Sequence, residues 1–135
     1  MDIKQISRSL SQIIALNQRK KRAQQLGINP FAHTHTSAND VSRQIQIIVI
    51  DPIIKEIYRM VEQNITYQLG TSIGFYYLLA NNRKFAVLYI PNPATGRIFM
   101  KRLNSNGMQC APSEEVHNIC QITDYLKEFN DSCNS

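Results

Sequence analysis

Three histidines and three cysteines are the residues of this chain with the most chemistry to offer, and their spacing decides what they can do. His33-Thr34-His35 is the one His pair. On extended backbone a period of two turns both imidazoles to the same side, as two ligands of one metal require. No third or fourth ligand follows at a metal-site spacing. Cys110, His117 and Cys120 lie near one another in sequence but match no zinc-ribbon pattern, so neither a metal nor a cofactor is expected. A thiol nucleophile needs a base within reach and a lowered pKa. His117 and Cys120 fall three apart on an expected helix, where side chains are neighbours. Their surroundings are acidic, however, with Glu114, Glu115 and Asp124 close by, and negative neighbours disfavour a thiolate. Cys120 then reads as a small packed residue. The chain has no HExxH, and Gly70-Thr71-Ser72-Ile73-Gly74, although it spells GxSxG, precedes a strand rather than the helix of a nucleophile elbow and lacks the lysine of a phosphate loop. The expectation is a protein that is not an enzyme, with an enzyme of unknown class as the third reading.

Charge is the second source of chemistry. The net +5 is unevenly spread. Up to Arg43 there are seven Lys or Arg against two Asp or Glu; from Gln44 to Gly107 the count is seven against three; from Met108 onward it is one against five. Such asymmetry bears on partners rather than on fold. The run Arg19-Lys20-Lys21-Arg22, with Arg8, Arg43, Arg83, Lys84, Arg97, Lys101 and Arg102, has enough cations to neutralise several phosphates. Nucleic-acid binding by the basic N-terminal helix is therefore the second reading. The segment Lys84-Phe85-Ala86-Val87-Leu88-Tyr89 has the aromatic alternation of an RNA-recognition strand, but the glycine of that motif is missing and the element order does not suit it.

Protein–protein recognition fits more of the residues. Tyrosines near arginines are interface chemistry, and Tyr77 and Tyr89, with Tyr67 and Tyr76 as further candidates, stand beside Arg83 and Arg97. The first reading is thus an adaptor, chaperone or inhibitor that binds an acidic partner protein through Arg19, Lys20, Lys21, Arg22, Arg83, Arg97, Tyr77 and Tyr89. Ile3, Ile6, Leu10 and Ile13 occupy heptad a and d positions, with Asn17 at the next a position. They are the expected interface of a homodimer, the alternative being that the stripe covers the domain's own sheet.

The remaining composition bounds the class. At 135 residues, 43% hydrophobic and 19% charged, the chain suits a single domain with its own core. No apolar run approaches the ~20 residues of a membrane span, and the first residues lack the pattern of a secretory signal. Odd, unpaired cysteines point to a reducing, cytoplasmic setting.

The elements that must position these residues follow from periodicity. An amphipathic basic helix is expected over 1–27, capped by Asp2 and stopped by Gly27, Ile28 and Pro30. A loop follows over 28–40, then a body over 41–135. Within it, Gln44–Ile50 is read as a strand, although Val41, Ile45, Ile48 and Val49 also suit a helix face. Asp51-Pro52 starts a central helix that Leu69-Gly70 ends. Residues 73–80, 84–90 and 97–103 form a meander, turned at Asn81-Asn82 and at Pro91–Gly96, with Met108–Cys110 as a further short strand. Ser113 caps an acidic C-terminal helix with Glu114 and Glu115 in its first turn. The sum is an α+β fold: an antiparallel meander of three to five strands covered by an N-terminal, a central and a C-terminal helix.

Overall fold

Apolar residues at steps of three and four produce the N-terminal helix where they predict it, as α1, Ile3–Gln25. The computed structural model describes residues 3–25, 38–72 and 74–134, of which 17–25, 38–40 and 134 are described by backbone alone. Ile3, Ile6, Leu10 and Ile14 of α1 are buried in the chain's own core, and Ile13 is half-buried beside them. The apolar area expected to face a second chain is therefore covered within one chain, which is the alternative the spacing left open. The helix docks tightly on the connection after the third strand: Ser11 Oγ donates to the carbonyl of Ala94 at 2.7 Å. Gly96 (φ +70°) lies under the same helix, and a Cβ there would sit 2.1 Å from the Ser7 carbonyl oxygen. Asp2, Gly27, Ile28, Pro30, His33 and His35, with most of the expected loop, lie outside the described residues.

The strand expected over Gln44–Ile50 is helix instead. Helix α2, Ala38–Ile45, runs through a π-helical turn, Gln46–Ile50, into α3, Asp51–Val61. Burial explains the outcome. A strand would turn Ile45, Ile47 and Val49 one way and waste Ile48 and Ile50 on the other face. The helix instead buries Ile45, Val49, Ile50, Ile53 and Ile57 in one continuous stripe, leaving Ile47 exposed. Asp51 is accordingly no cap: it is helical (φ −59°, ψ −45°), and its N–H donates to Gln46 O, five residues back. That wider turn makes room for Pro52, which has no N–H to give and crowds the carbonyl four residues before it in a regular α-helix.

Helix α3 ends earlier than Leu69-Gly70. Glu62 takes the left-handed conformation (φ 54°, ψ 35°), and its N–H closes the last turn on Tyr58 O at 2.8 Å. Ile65–Leu69 is then the first strand, β1. Ile65 and Leu69 imitate a helical step of four, but Ile65, Tyr67 and Leu69 also alternate with Thr66 and Gln68, and the β-rich composition prevails.

The sheet continues as β2, Phe75–Ala80; β3, Arg83–Tyr89; β4, Phe99–Arg102; and β5, Glu114–Glu115. Its order is β1-β2-β3-β4-β5, antiparallel throughout. Asn81 (φ 52°) and Asn82 (φ 63°) make the tight β2–β3 turn, both in the left-handed region it demands. The register slips at Leu78/Leu79, where Leu78 faces Ala86 and Leu79 faces Lys84, so Phe85 is the extra residue of a β-bulge. Phe85 and Ala86 both enter the core as a result.

Two expectations fail near the C-terminus. Met108–Cys110 contributes a single bridge, Leu103 to Gln109, and Glu114–Glu115 is strand rather than the start of a helix. Helix α4 spans Cys120–Asn134. Its cap is Asn118, whose Oδ1 accepts from Cys120 N at 2.9 Å, while Gln121 Oε1 accepts from Asn118 N at 3.0 Å in a reciprocal capping box. Ile122, Leu126 and Phe129 then enter the core. Helices from both ends thus meet one face of the sheet in a single apolar core.

Candidate interaction face

Strand alternation sends Tyr76, Leu78, Leu88 and Met100 to the core, and their neighbours the other way. The register then assembles the opposite face. One row across the strands is Phe75, Tyr89 and Phe99; the next is Gln68, Tyr77, Val87 and Lys101; a third is Thr66, Leu79 and Lys84. Phe75 stacks on Tyr89 with centroids 5.3 Å apart and planes 10° from parallel, and Tyr89 on Phe99 at 5.5 Å and 25°. Separations this short exclude rings lying side by side in one plane, so the three form an offset-stacked ladder with ring edges toward solvent.

Cations frame the ladder. Lys84 Nζ is 4.3 Å from the Tyr77 centroid, and Lys101 Nζ is 5.2 Å from that of Tyr89 and 5.8 Å from that of Phe75. The Arg97 guanidinium lies 5.2 Å from the Phe99 centroid. All of these are within cation–π range. Arg97 also forks onto Glu115, with Nε to Oε1 at 2.9 Å and Nη2 to Oε2 at 3.0 Å. That hydrogen-bonded pairing holds the Glu115 carboxyl below its ordinary value and raises the Arg97 guanidinium above its own. Every partner in these ring contacts belongs to the sheet or to the chain entering β4.

Of the residues expected at a partner-binding site, the structure gathers Tyr77, Tyr89 and Arg97 on this face. Arg83 is not with them: it lies at the β2–β3 turn toward α4, donating to Cys133 Sγ at 3.7 Å, beside a cavity of about 580 Å³ lined also by Gln63, Asn81, Phe129 and Asn130. Arg19, Lys20, Lys21 and Arg22 fall within α1, and their side chains are outside the described set. Tyr67 and Tyr76 serve the interior. Tyr76 is buried and donates to Ser42 O at 3.2 Å, and burial pushes its hydroxyl pKa up. Tyr67 donates to Asp51 Oδ1 at 3.1 Å, and burial, then that carboxylate, raises its pKa too.

Phe75, Phe99, Lys84 and Lys101 are the members that periodicity alone misses. Phe99 and Lys101 alternate along β4, but only the register shows that they meet Tyr89 and Val87.

Among the described residues, those with reactive side chains do not converge. His117 precedes α4 and stands 3.6 Å from Glu115, while Cys120 is exposed in the helix's first turn. Cys110 Sγ rests 3.3 Å from the Tyr125 hydroxyl, which donates to Leu103 O. Burial above all, then Cys110, raises the Tyr125 pKa. Among the described residues no three His, Cys, Asp or Glu side chains are grouped to hold a metal. No helix of the described residues is long and apolar enough to cross a membrane.

No protein-family model matches the chain, and comparison with curated proteins and with solved structures finds no match either.

Proposed function

We propose that this chain is a non-enzymatic interaction module, an adaptor, chaperone or inhibitor of the cytoplasm, that binds an acidic surface of a partner protein through the open face of its sheet. The observation that carries this is the Phe75–Tyr89–Phe99 ladder framed by Lys84, Lys101 and Arg97. Rigid aromatic area with cations at its rim is what protein interfaces enrich, and a negative partner would gain both attraction and orientation from it.

Ring geometry weighs against single-stranded nucleic acid on the same face. Base stacking needs ring faces open to solvent. Here Tyr89 gives both faces to its neighbours, and Arg97 lies over Phe99. Nucleic acid therefore stays with the basic run of α1 and becomes an outcome of the test.

The test is capture of the partner from the native cell by the full chain, with and without nuclease, beside the Lys84→Glu/Lys101→Glu variant. Both lysines are at or near the surface, so the variant should fold. Loss of two exposed attractions of about 0.5–1 kcal/mol each, with new repulsion added, should weaken a nuclease-resistant partner at least tenfold. Capture abolished by nuclease, or untouched by the double variant, refutes the proposal.

A further inference from the structure

We infer that β1 is an association edge for a second copy of this chain, joined antiparallel about Tyr67 so that two sheets become one. The surface is distinct from the proposed partner face, and the inference does not depend on it.

The sheet has two outer strands, and they are treated differently. β5 is two residues long, and its carboxylates are engaged: Glu115 on Arg97, and Glu114 on Arg102 at 2.7 Å. A short, charged, ion-paired strand is a blunted edge. β1 is five residues long and has no charge, no proline and no register shift against β2.

Its backbone is also poised outward. The Gly70 N–H points inward, to Phe75 O at 2.7 Å. In antiparallel pairing, successive residues alternate between facing the neighbouring strand and facing away. Gln68 and Thr66 therefore turn to β2 with Gly70, while Ile65, Tyr67 and Leu69 direct N–H and C=O to an edge that is open among the described residues.

What fits there can be read from shape and charge. Leu69 is 57% exposed at one end of the strand. At the other end lies a cavity of about 370 Å³ lined by Asp51, Ile54, Lys55, Ile65, Thr66 and Tyr67. Antiparallel pairing centred on Tyr67 sets Leu69 of each copy opposite Ile65 of the other, at the mouth of that cavity. Each copy thus supplies one exposed leucine and one socket with Ile54, Ile65 and the Tyr67 ring in its wall, which is the reciprocity a two-fold interface requires. The strand's neutrality lets two chains of net charge +5 meet without placing like charges face to face at the seam.

The test combines sedimentation with residue-resolved hydrogen exchange on the full chain and on Leu69→Lys. The substitution places a charge on a side chain already exposed in one chain, so folding should survive, with an unchanged circular dichroism spectrum. Wild type should sediment as a dimer in the micromolar range and Leu69→Lys as a monomer. Amides of Ile65, Tyr67 and Leu69 should exchange at least tenfold faster in the variant, while that of Gln68 keeps its protection. A wild type that stays monomeric at millimolar concentration overturns the inference. So does protection of the three outward amides that Leu69→Lys leaves unchanged, because the edge would then be covered by something other than a second β1. A variant that no longer folds would pass the test to Leu69→Ala, for which weaker dimerisation is expected and an unaltered dimer would refute.

Discussion

Replacing Leu10 by Ala decides whether the apolar stripe of α1 is a structural core or a seam between chains. Leu10 has no exposed area, so truncation loses its transfer free energy and leaves a hole the neighbours fill only in part. Such changes cost about 3–5 kcal/mol. For a domain of this length one kcal/mol moves Tm by roughly 3–5 °C, so the fall should be about 10–20 °C. Leu16, on the same helix and 49% exposed, is the control: Leu16→Ala should change stability by less than about 0.5 kcal/mol. Both are best measured by thermal and urea unfolding in the Leu69→Lys background, so that association through β1 does not contribute. A core residue gives a deficit that is independent of protein concentration. A seam residue gives one that vanishes on dilution, and an unchanged Tm for Leu10→Ala would show that α1 is not part of the folded body at all.

Gly96→Ala should cost at least about 2 kcal/mol by urea unfolding, because the new Cβ meets the Ser7 carbonyl oxygen at 2.1 Å on a residue with φ +70°. Glu115 should titrate below its ordinary 4.5, a shift that Arg97→Gln largely removes in a carboxyl NMR titration. Its folded value being the lower one, the pair's contribution is complete above the unfolded value and disappears as pH falls through the folded one. Stability that rises on acidification across that window would contradict the pairing.

The elements that could be read from the chain are those whose local signals agree with one another. Asn81-Asn82 between two aromatic runs forecasts the β2–β3 hairpin, and both residues adopt the left-handed conformation that such a turn needs. The stripe of α1 and the apolar face of α4 are equally plain. Residues 45–50 fail because Ile and Val are strand formers locally, whereas the fold gains more by continuing one helical stripe into Ile53 and Ile57. Glu62 hides the end of α3, since a glutamate is an uncommon left-handed stop where Gly or Asn is usual. Glu114-Glu115 suits a helix N-terminus by charge, but the true cap is Asn118 with Gln121 three residues later, a capping box spelled out in the sequence five residues beyond Ser113. The interaction face was half legible. Tyr77, Tyr89 and Arg97 are nameable as types, while Phe75 joins them only through the register that the bulge at Phe85 sets, and Phe99 and Lys101 through that of β3 with β4.

The same register changes what the charge asymmetry means. A basic middle and an acidic end invite the picture of two opposed surfaces, one for each kind of partner. The fold instead lays Glu114 and Glu115 alongside β4, where they engage Arg102 and Arg97. Two of the five C-terminal carboxylates are therefore engaged inside the chain. Among the described residues Lys84 and Lys101 meet aromatic rings alone, whereas Arg97 and Arg102 each meet a ring and a carboxylate; a ring attracts a cation without cancelling its charge. A cation over a ring still acts at a distance on an anionic surface, while one forked to a carboxylate scarcely does. That difference is why two lysines on the sheet, rather than the more numerous arginines around it, are the residues whose reversal should most affect an acidic partner.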